Sequence, residues 1–136
     1  MLMNQAEYLE TISAIKSEIR HAQYRAVLGA NRELILLYWR IGQVINAHKT
    51  WGSRFVENLA ADIKLAFPDA SGYSVRNLKY MAKFAALFQE GEIVQAALAQ
   101  ISWYHNLALM DKVKNPDAYR WYAEESAKNG WSRSIL

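Results

Sequence analysis

The chain has 136 residues, of which 52% are apolar, and its formal net charge is +3. This length suits one domain with a core of its own, and the apolar fraction excludes a disordered tail. No apolar run approaches the roughly 20 residues that span a bilayer, and no secretory signal is visible at the N-terminus. Because there is no cysteine, disulfides and thiolate metal sites are excluded. We therefore expect a cytoplasmic protein without a membrane partner.

The chain begins with two stretches of heptad-like apolar spacing. The first begins at Tyr8 and the second ends at Val44, with a slip of one residue near Gly29. Such spacing is typical of helices that pack along a seam. A continuous helix over 5–48 would be about 65 Å long, which is too long for a compact domain of this size. The chain must bend near Gly29 or find a partner chain, so residues 5–48 could also form a homo-oligomer.

Two helices are predicted next, over 53–67 and 74–88. Ser53 and Ser74 stand at their starts as N-caps, since serine accepts a hydrogen bond from the first free N–H groups of a helix. The segment 68–72, P-D-A-S-G, predicts a turn because it combines proline, an Asx residue and glycine.

Three further helices are predicted over 93–99, 103–113 and 116–129, the last one capped by Asn115. Ser132 then begins a new helix, and the sequence stops one turn later. We therefore expect these residues to be the N-terminal part of a longer chain. Strand signals are nearly absent, so the predicted fold class is all-α.

The helix predicted over 74–88 has two unlike faces. One face is apolar and consists of Leu78, Met81, Ala82, Ala85 and Phe88. The other face carries Arg76, Lys79, Tyr80 and Lys83. Residues 74–88 contain three cations and no acid, which equals the net charge of the whole chain. A surface of one sign suits a polyanion, although a merely solvated lysine-rich face fits the pattern equally well.

Helix 53–67, a turn and helix 74–88 together have the form of a helix-turn-helix, whose second helix enters the major groove of DNA. Arginine and lysine contact phosphates and guanine edges, asparagine can bind adenine, and the first turn of a helix favours phosphate. The candidate DNA-binding residues are Ser74, Arg76, Asn77, Lys79, Tyr80 and Lys83. The connection is longer than the tightest turns, and Glu57 and Asp62 would weaken a phosphate surface if they faced the same way.

No catalytic constellation accompanies this surface. His21, His48 and His105 lie far apart and show no ligand spacing. The D-x-K motif of metal-dependent nucleases occurs at 62–64, but on a predicted helix and without the required acid upstream. We expect no catalytic residue, cofactor, metal or small-molecule substrate in these residues.

Tryptophans could also stack on nucleic-acid bases. Trp39 and Trp121 instead lie at helix-face positions that predict core packing. Trp51 and Trp131 lie next to predicted helix starts, where they would fix how each helix enters.

Four sequence stretches, taken in order, resemble a known bacterial domain. They are N-R-E-L-I-L-L-Y-W-R-I-G (31–42), W-G-S-R-F-V-E-N-L-A-A-D-I (51–63), G-Y-S-V-R-N-L-K-Y-M-A-K-F (72–84) and N-G-W-S-R-S-I-L (129–136). I-S-W-Y-H-N-L-A-L-M (101–110) and A-Y-R-W-Y-A-E-E-S-A (118–127) are also similar. The domain that they resemble is the N-terminal domain of YhcG-like proteins, a family of unknown function assigned to the PD-(D/E)XK nucleases.

The resemblance implies a helix-turn-helix or winged-helix-like domain placed ahead of a nuclease domain. The N-terminal domain would then hold DNA while the C-terminal part cuts. A divalent metal is expected only in that nuclease domain, whose acids are absent here. The resemblance does not assign DNA contacts, which rest on the charged face alone.

Two functions remain open from the sequence. The first is a DNA-binding domain that presents helix 74–88 to the duplex. The second is a helical oligomerisation or protein-interaction module, in which the basic face meets an acidic protein surface and the seam over 8–48 pairs subunits. Salt-sensitive binding to random DNA would favour the first, and a tight oligomer that ignores DNA would favour the second.

Overall fold

The computed structural model describes residues 4–26, 31–95 and 97–136. It contains the helices α1 (Gln5–Ala26), α2 (Asn31–Ala47), α3 (Gly52–Ala66), α4 (Val75–Leu87), α5 (Glu90–Gln95), α6 (Trp103–Lys112) and α7 (Pro116–Asn129). Short 3-10 turns lie at Lys49–Trp51 and Ala97–Ala99. The all-α prediction is confirmed. These three ranges contain no strand, so the winged-helix detail of the prediction is not confirmed.

The heptad-like spacing forms a seam inside the chain, because α1 and α2 pack against each other. Its buried members are Tyr8, Ile12, Ile15, Ile19, Ala22, Leu37 and Ile41. Arg40 of α2 extends the contact, with a guanidinium nitrogen 3.8 Å from a carboxylate oxygen of Glu18 in α1. The predicted bend near Gly29 falls outside the described residues. Two packed helices replace the single 65 Å rod that the spacing alone would allow.

The main support of α4 is α2, with a smaller contact from α3. A Cβ atom at Gly42 would collide with the carbonyl group of Met81 and would lie 2.9 Å from Cβ of Ala85. Asn46 adds a hydrogen bond across the same contact, donating from Nδ2 to the Ala82 carbonyl oxygen over 2.8 Å. Glycine at position 42 thus allows the two backbones to approach closely, which fixes α4 on the domain.

A buried polar network holds α6 and α7 together. The Tyr119 hydroxyl donates to Asn106 Oδ1 over 2.6 Å, and Asn106 Nδ2 donates to the carbonyl oxygens of Leu98 and Ser102 at 3.1 Å each. Burial raises the pKa of Tyr119 above its ordinary range. The predicted cap at Asn115 is confirmed, since its Oδ1 accepts from the first free N–H groups of α7.

Two predicted helix starts are wrong. The N-cap of α3 is Trp51 and the helix begins at Gly52, so Ser53 lies inside the first turn. The Trp51 side chain is buried and makes no capping hydrogen bond. Within residues 132–136, Ser132 begins a hydrogen-bonded turn and not a helix, and the turn is closed by the Ile135 amide, which lies 3.1 Å from the Ser132 carbonyl oxygen.

Trp39 and Trp121, both predicted to lie in the core, differ in their burial. Trp39 is buried and donates from Nε1 to the Phe88 carbonyl oxygen over 2.7 Å, which confirms the prediction. Trp121 is 52% exposed, so its assignment to the core is wrong. The buried face of α7 is set by Tyr119 and Ala123, and a residue two positions from Tyr119 points roughly to the opposite side.

Candidate nucleic-acid interface

The start of α4 is fixed by its own cap and by the connection before it. Ser74 is the N-cap, and its Oγ accepts from the Asn77 amide over 3.2 Å, so the predicted cap is confirmed. Gly72 has a φ of +94°, and its missing side chain leaves room for the Tyr38 hydroxyl, which lies 2.7 Å from the ideal Cβ position. Tyr73 packs edge-on against Tyr38 at 5.9 Å. The N-terminus of α4 therefore has a defined place despite the eight residues that separate it from α3.

Asn77 uses both polar atoms of its side chain within the protein. Its Nδ2 donates to the Gly72 carbonyl oxygen at 3.1 Å, and its Oδ1 accepts from Trp103 Nε1 at 3.3 Å. The side chain thus links the connection before α4 to the first turn of α6. Contact with adenine would have to use the second N–H of Nδ2 and the second lone pair of Oδ1, or break these bonds.

The remaining predicted residues meet at one shallow concavity on α4. Arg76, Lys79 and Lys83 are exposed and Tyr80 is half-buried. All four line this concavity, together with Asp111 of α6. The Arg76 guanidinium lies over the Tyr80 ring, 5.4 Å from its centre, in a cation–π contact. We call the group formed by Arg76, Lys79, Tyr80 and Lys83 the basic face.

Two members of the basic face also bond to the end of α6. The Tyr80 hydroxyl donates to Asp111 Oδ1 over 2.5 Å, and this bond is the main cause that raises the pKa of Tyr80. Lys83 Nζ donates to the Met110 carbonyl oxygen over 3.1 Å. Within the described ranges, no carboxylate forms an ion pair with Arg76, Lys79 or Lys83.

The sequence names Glu57 and Asp62 as acids that could oppose a phosphate surface, but neither lies at the basic face. Asp62 of α3 accepts a 2.5 Å hydrogen bond from the Tyr8 hydroxyl, so its carboxylate is directed to α1. Glu57 is exposed and lines no part of the concavity. The acid at the basic face is Asp111, which is separated from Tyr80 by 31 positions. No local pattern could have revealed it, because only the packing of α6 brings it there.

Two of the three histidines, His48 and His105, have structural partners. His105 lies 2.6 Å from Ser102 Oγ through Nδ1 and 2.8 Å from the Trp131 carbonyl oxygen through Nε2. His48 stacks on Trp51 at 4.1 Å. In the part of the chain that the structure describes, no cluster of three or more His, Asp or Glu side chains could hold a metal ion. The D-x-K motif at 62–64 lies on α3, as predicted.

The fold and the surface together define an all-α domain with one basic helix face. Over residues 14–136 the chain matches the DUF1016 N-terminal domain family, and it belongs to that family. No curated protein and no solved structure matches the chain. None of the helices that the structure describes has the length and apolar character needed to cross a bilayer.

Proposed function

We propose that this domain binds DNA through the basic face of α4, and that it positions a C-terminal PD-(D/E)XK nuclease on DNA in the full-length protein. The observation that carries the proposal is the exposure of three cations on one side of a single, firmly supported helix. Their charge is not compensated by ion pairs with described carboxylates. Such a surface attracts the phosphates of a duplex.

The contacts would be mainly to phosphates. Arg76 can donate in bidentate fashion, while Lys79 and Lys83 act as point charges on flexible stems. Ser74 lies at the N-terminus of α4, where free N–H groups favour an anion. Affinity should depend little on DNA sequence and fall steeply with salt.

The nuclease part of the proposal rests on the resemblance to YhcG-like proteins. Membership of the DUF1016 N-terminal domain family supports the narrower point that these residues form an N-terminal domain. In this arrangement the domain binds and the C-terminal part cuts with a divalent metal. The 136 residues alone are expected to bind DNA without cleaving it.

Fluorescence anisotropy of a labelled random duplex tests the proposal. The protein is titrated at about 50 mM and 200 mM salt, a range over which phosphate contacts weaken strongly. The test variant is Arg76→Ala, Lys79→Ala, Lys83→Ala. The matched control is Lys16→Ala, Lys49→Ala, Lys128→Ala, which removes the same charge from other parts of the chain.

The proposal predicts salt-sensitive binding that the control retains and that is strongly weakened in the test variant. Loss of three phosphate contacts should also reduce the slope of log affinity against log salt by about 2.7. Equal weakening in both triple variants would show a general charge effect and would contradict the assignment to α4. No binding by the wild type at low salt would contradict the function itself.

A protein-interaction module is the second candidate, and exposed aromatic residues favour it. Tyr104 is 61% and Trp121 52% exposed, and the Trp121 ring lies 5.0 Å from Tyr122 and 6.5 Å from Trp131. Exposed aromatic groups of this size are enriched at protein interfaces. The seam of α1 and α2 is already covered within the chain, so the aromatic residues are the better argument. A tight oligomer in light scattering, without DNA binding, would favour this candidate.

A further inference from the structure

We infer that Asp111 limits the affinity of the basic face for DNA, because its carboxylate occupies a position that a phosphate would take beside Tyr80. This inference rests on the proposed function and concerns the same surface. Among the residues that the structure describes, Asp111 is the one acid that lines the concavity formed with Arg76, Lys79, Tyr80 and Lys83. An anion at this place repels a phosphate that approaches the three cations.

The position of Asp111 is set by the fold. The first turn of α6 is bonded to α4 through Trp103 and Asn77, and its last turn through Lys83 and the Met110 carbonyl oxygen. Both ends of α6 are therefore tied to α4. Asp111 also has a short side chain, so its charge stays at the concavity instead of moving away into solvent.

The Tyr80 hydroxyl is a hydrogen-bond donor that a phosphate at the concavity could also use. The Tyr80 hydroxyl already donates to an anionic oxygen, over 2.5 Å. A phosphate oxygen is an acceptor of the same kind, so Tyr80 could donate to DNA if the carboxylate gave way. Asp111 thus competes with the ligand for a donor and also opposes it by charge.

A different role for Asp111 is that it only holds Tyr80 in place. Asp111→Asn separates the two roles, because an amide oxygen can still accept from the Tyr80 hydroxyl while the charge is gone. Glu10→Gln is the matched control. It makes the same change of charge at an exposed position of α1, a helix that packs against α2 and α3.

We expect Asp111→Asn to bind a random duplex about three- to tenfold more tightly than the wild type at low salt, with little gain at high salt. The slope of log affinity against log salt should also become steeper, since salt screens the repulsion by the carboxylate in the wild type and the variant has no such repulsion to screen. Glu10→Gln should bind as the wild type does. Thermal unfolding of each variant serves to compare their stabilities.

The outcomes separate the inference from the function beneath it. Tighter binding by Asp111→Asn alone supports the inference. If the wild type binds and Asp111→Asn binds equally or more weakly, Asp111 has only a structural role and the inference is overturned while the proposed function stands. Equal tightening by Glu10→Gln would reduce the effect to net charge and also overturn it. If no protein binds DNA at any salt, the inference and the proposed function both fall.

Discussion

Asn77 illustrates how a residue that the sequence predicts to contact DNA can have partners within the protein. Its sequence position, in the first turn of a basic helix, indicates base recognition. The structure instead shows its amide bonded to Gly72 and Trp103. The sequence could not reveal this, because Trp103 is 26 positions away and only tertiary packing brings the two together. Direct readout by Asn77 stays a prediction, but its structural role is the one with observed partners.

Asn77→Ala should therefore lower the free energy of unfolding. Two hydrogen bonds are lost, and the half-buried Gly72 carbonyl oxygen loses a donor, so the cost is about 1–3 kcal/mol. Urea unfolding followed by circular dichroism measures it. Asn129→Ala is the control, since its side chain bonds only to Glu125 at an exposed site, and it should change stability by less than about 0.5 kcal/mol. Equal effects of the two substitutions would contradict the structural role of Asn77.

The helices themselves could be predicted closely, and their caps explain why. Ser74 and Asn115 begin α4 and α7 where the sequence predicts, because each has a side chain that bonds to the backbone of the next turn. Ser53 carries the same signal but lies inside α3, whose N-cap is Trp51 and whose first residue is Gly52. The helix predicted over 93–99 is divided into α5, which starts earlier, and a 3-10 turn. Local sequence patterns therefore predict which segments are helical, but they do not predict every helix boundary.

Gly42→Ala should disrupt the contact between α2 and α4. A Cβ atom there meets backbone atoms of Met81, which cannot move aside as a flexible side chain could. We expect a loss of about 3 kcal/mol in unfolding free energy, at the upper end of overpacking costs. Gly91→Ala is the control, because nothing lies within 4 Å of the ideal Cβ position in α5. It should be neutral or stabilise by up to about 1 kcal/mol.

A loss below about 1 kcal/mol for Gly42→Ala would show that α2 and α4 do not approach as closely as described. Because α4 carries the basic face, DNA binding by this variant should weaken together with its stability. Thermal unfolding and duplex titration of the same sample would reveal both effects.

At the scale of the molecule, buried tyrosines predict a loss of stability at high pH. Burial raises the pKa of Tyr73 to about 12 from its ordinary value of 10.0, and burial also raises the pKa of Tyr38 and Tyr119. Between the ordinary pKa of a tyrosine and its raised pKa in the folded protein, the unfolded chain has lost protons that the folded chain keeps. The free energy of unfolding therefore falls as pH rises from about 10. At pH values below the tyrosine pKa of the unfolded chain, these tyrosines do not make the free energy of unfolding depend on pH.

Thermal midpoints measured from pH 8 to about 11.5 test this behaviour. The wild type should be constant at the lower end and decline above pH about 10. Tyr73→Phe removes one titrating group and should decline less steeply. An equal decline in that variant would contradict the assignment of part of the slope to Tyr73.

The sequence predicts the whole molecule less fully than its helices. Heptad-like spacing is satisfied equally by two helices of one chain or by two chains, and only the packing of α1 against α2 shows the first arrangement. The basic face could be found from spacing and charge, because its members belong to one helix. The position of Asp111 at the basic face and the exposure of Trp121 could not be found in this way, because both are set by the packing of helices that are distant in sequence.

In the proposed function, the basic face of α4 is the part of the domain that binds DNA. Amide chemical-shift mapping by NMR, with a short random duplex added at low salt, tests it most directly and reports on every helix at once. We expect the largest shifts over residues 74–83 and at the end of α6, next to Asp111. Shifts concentrated around Trp121, or no shifts at all, would contradict it.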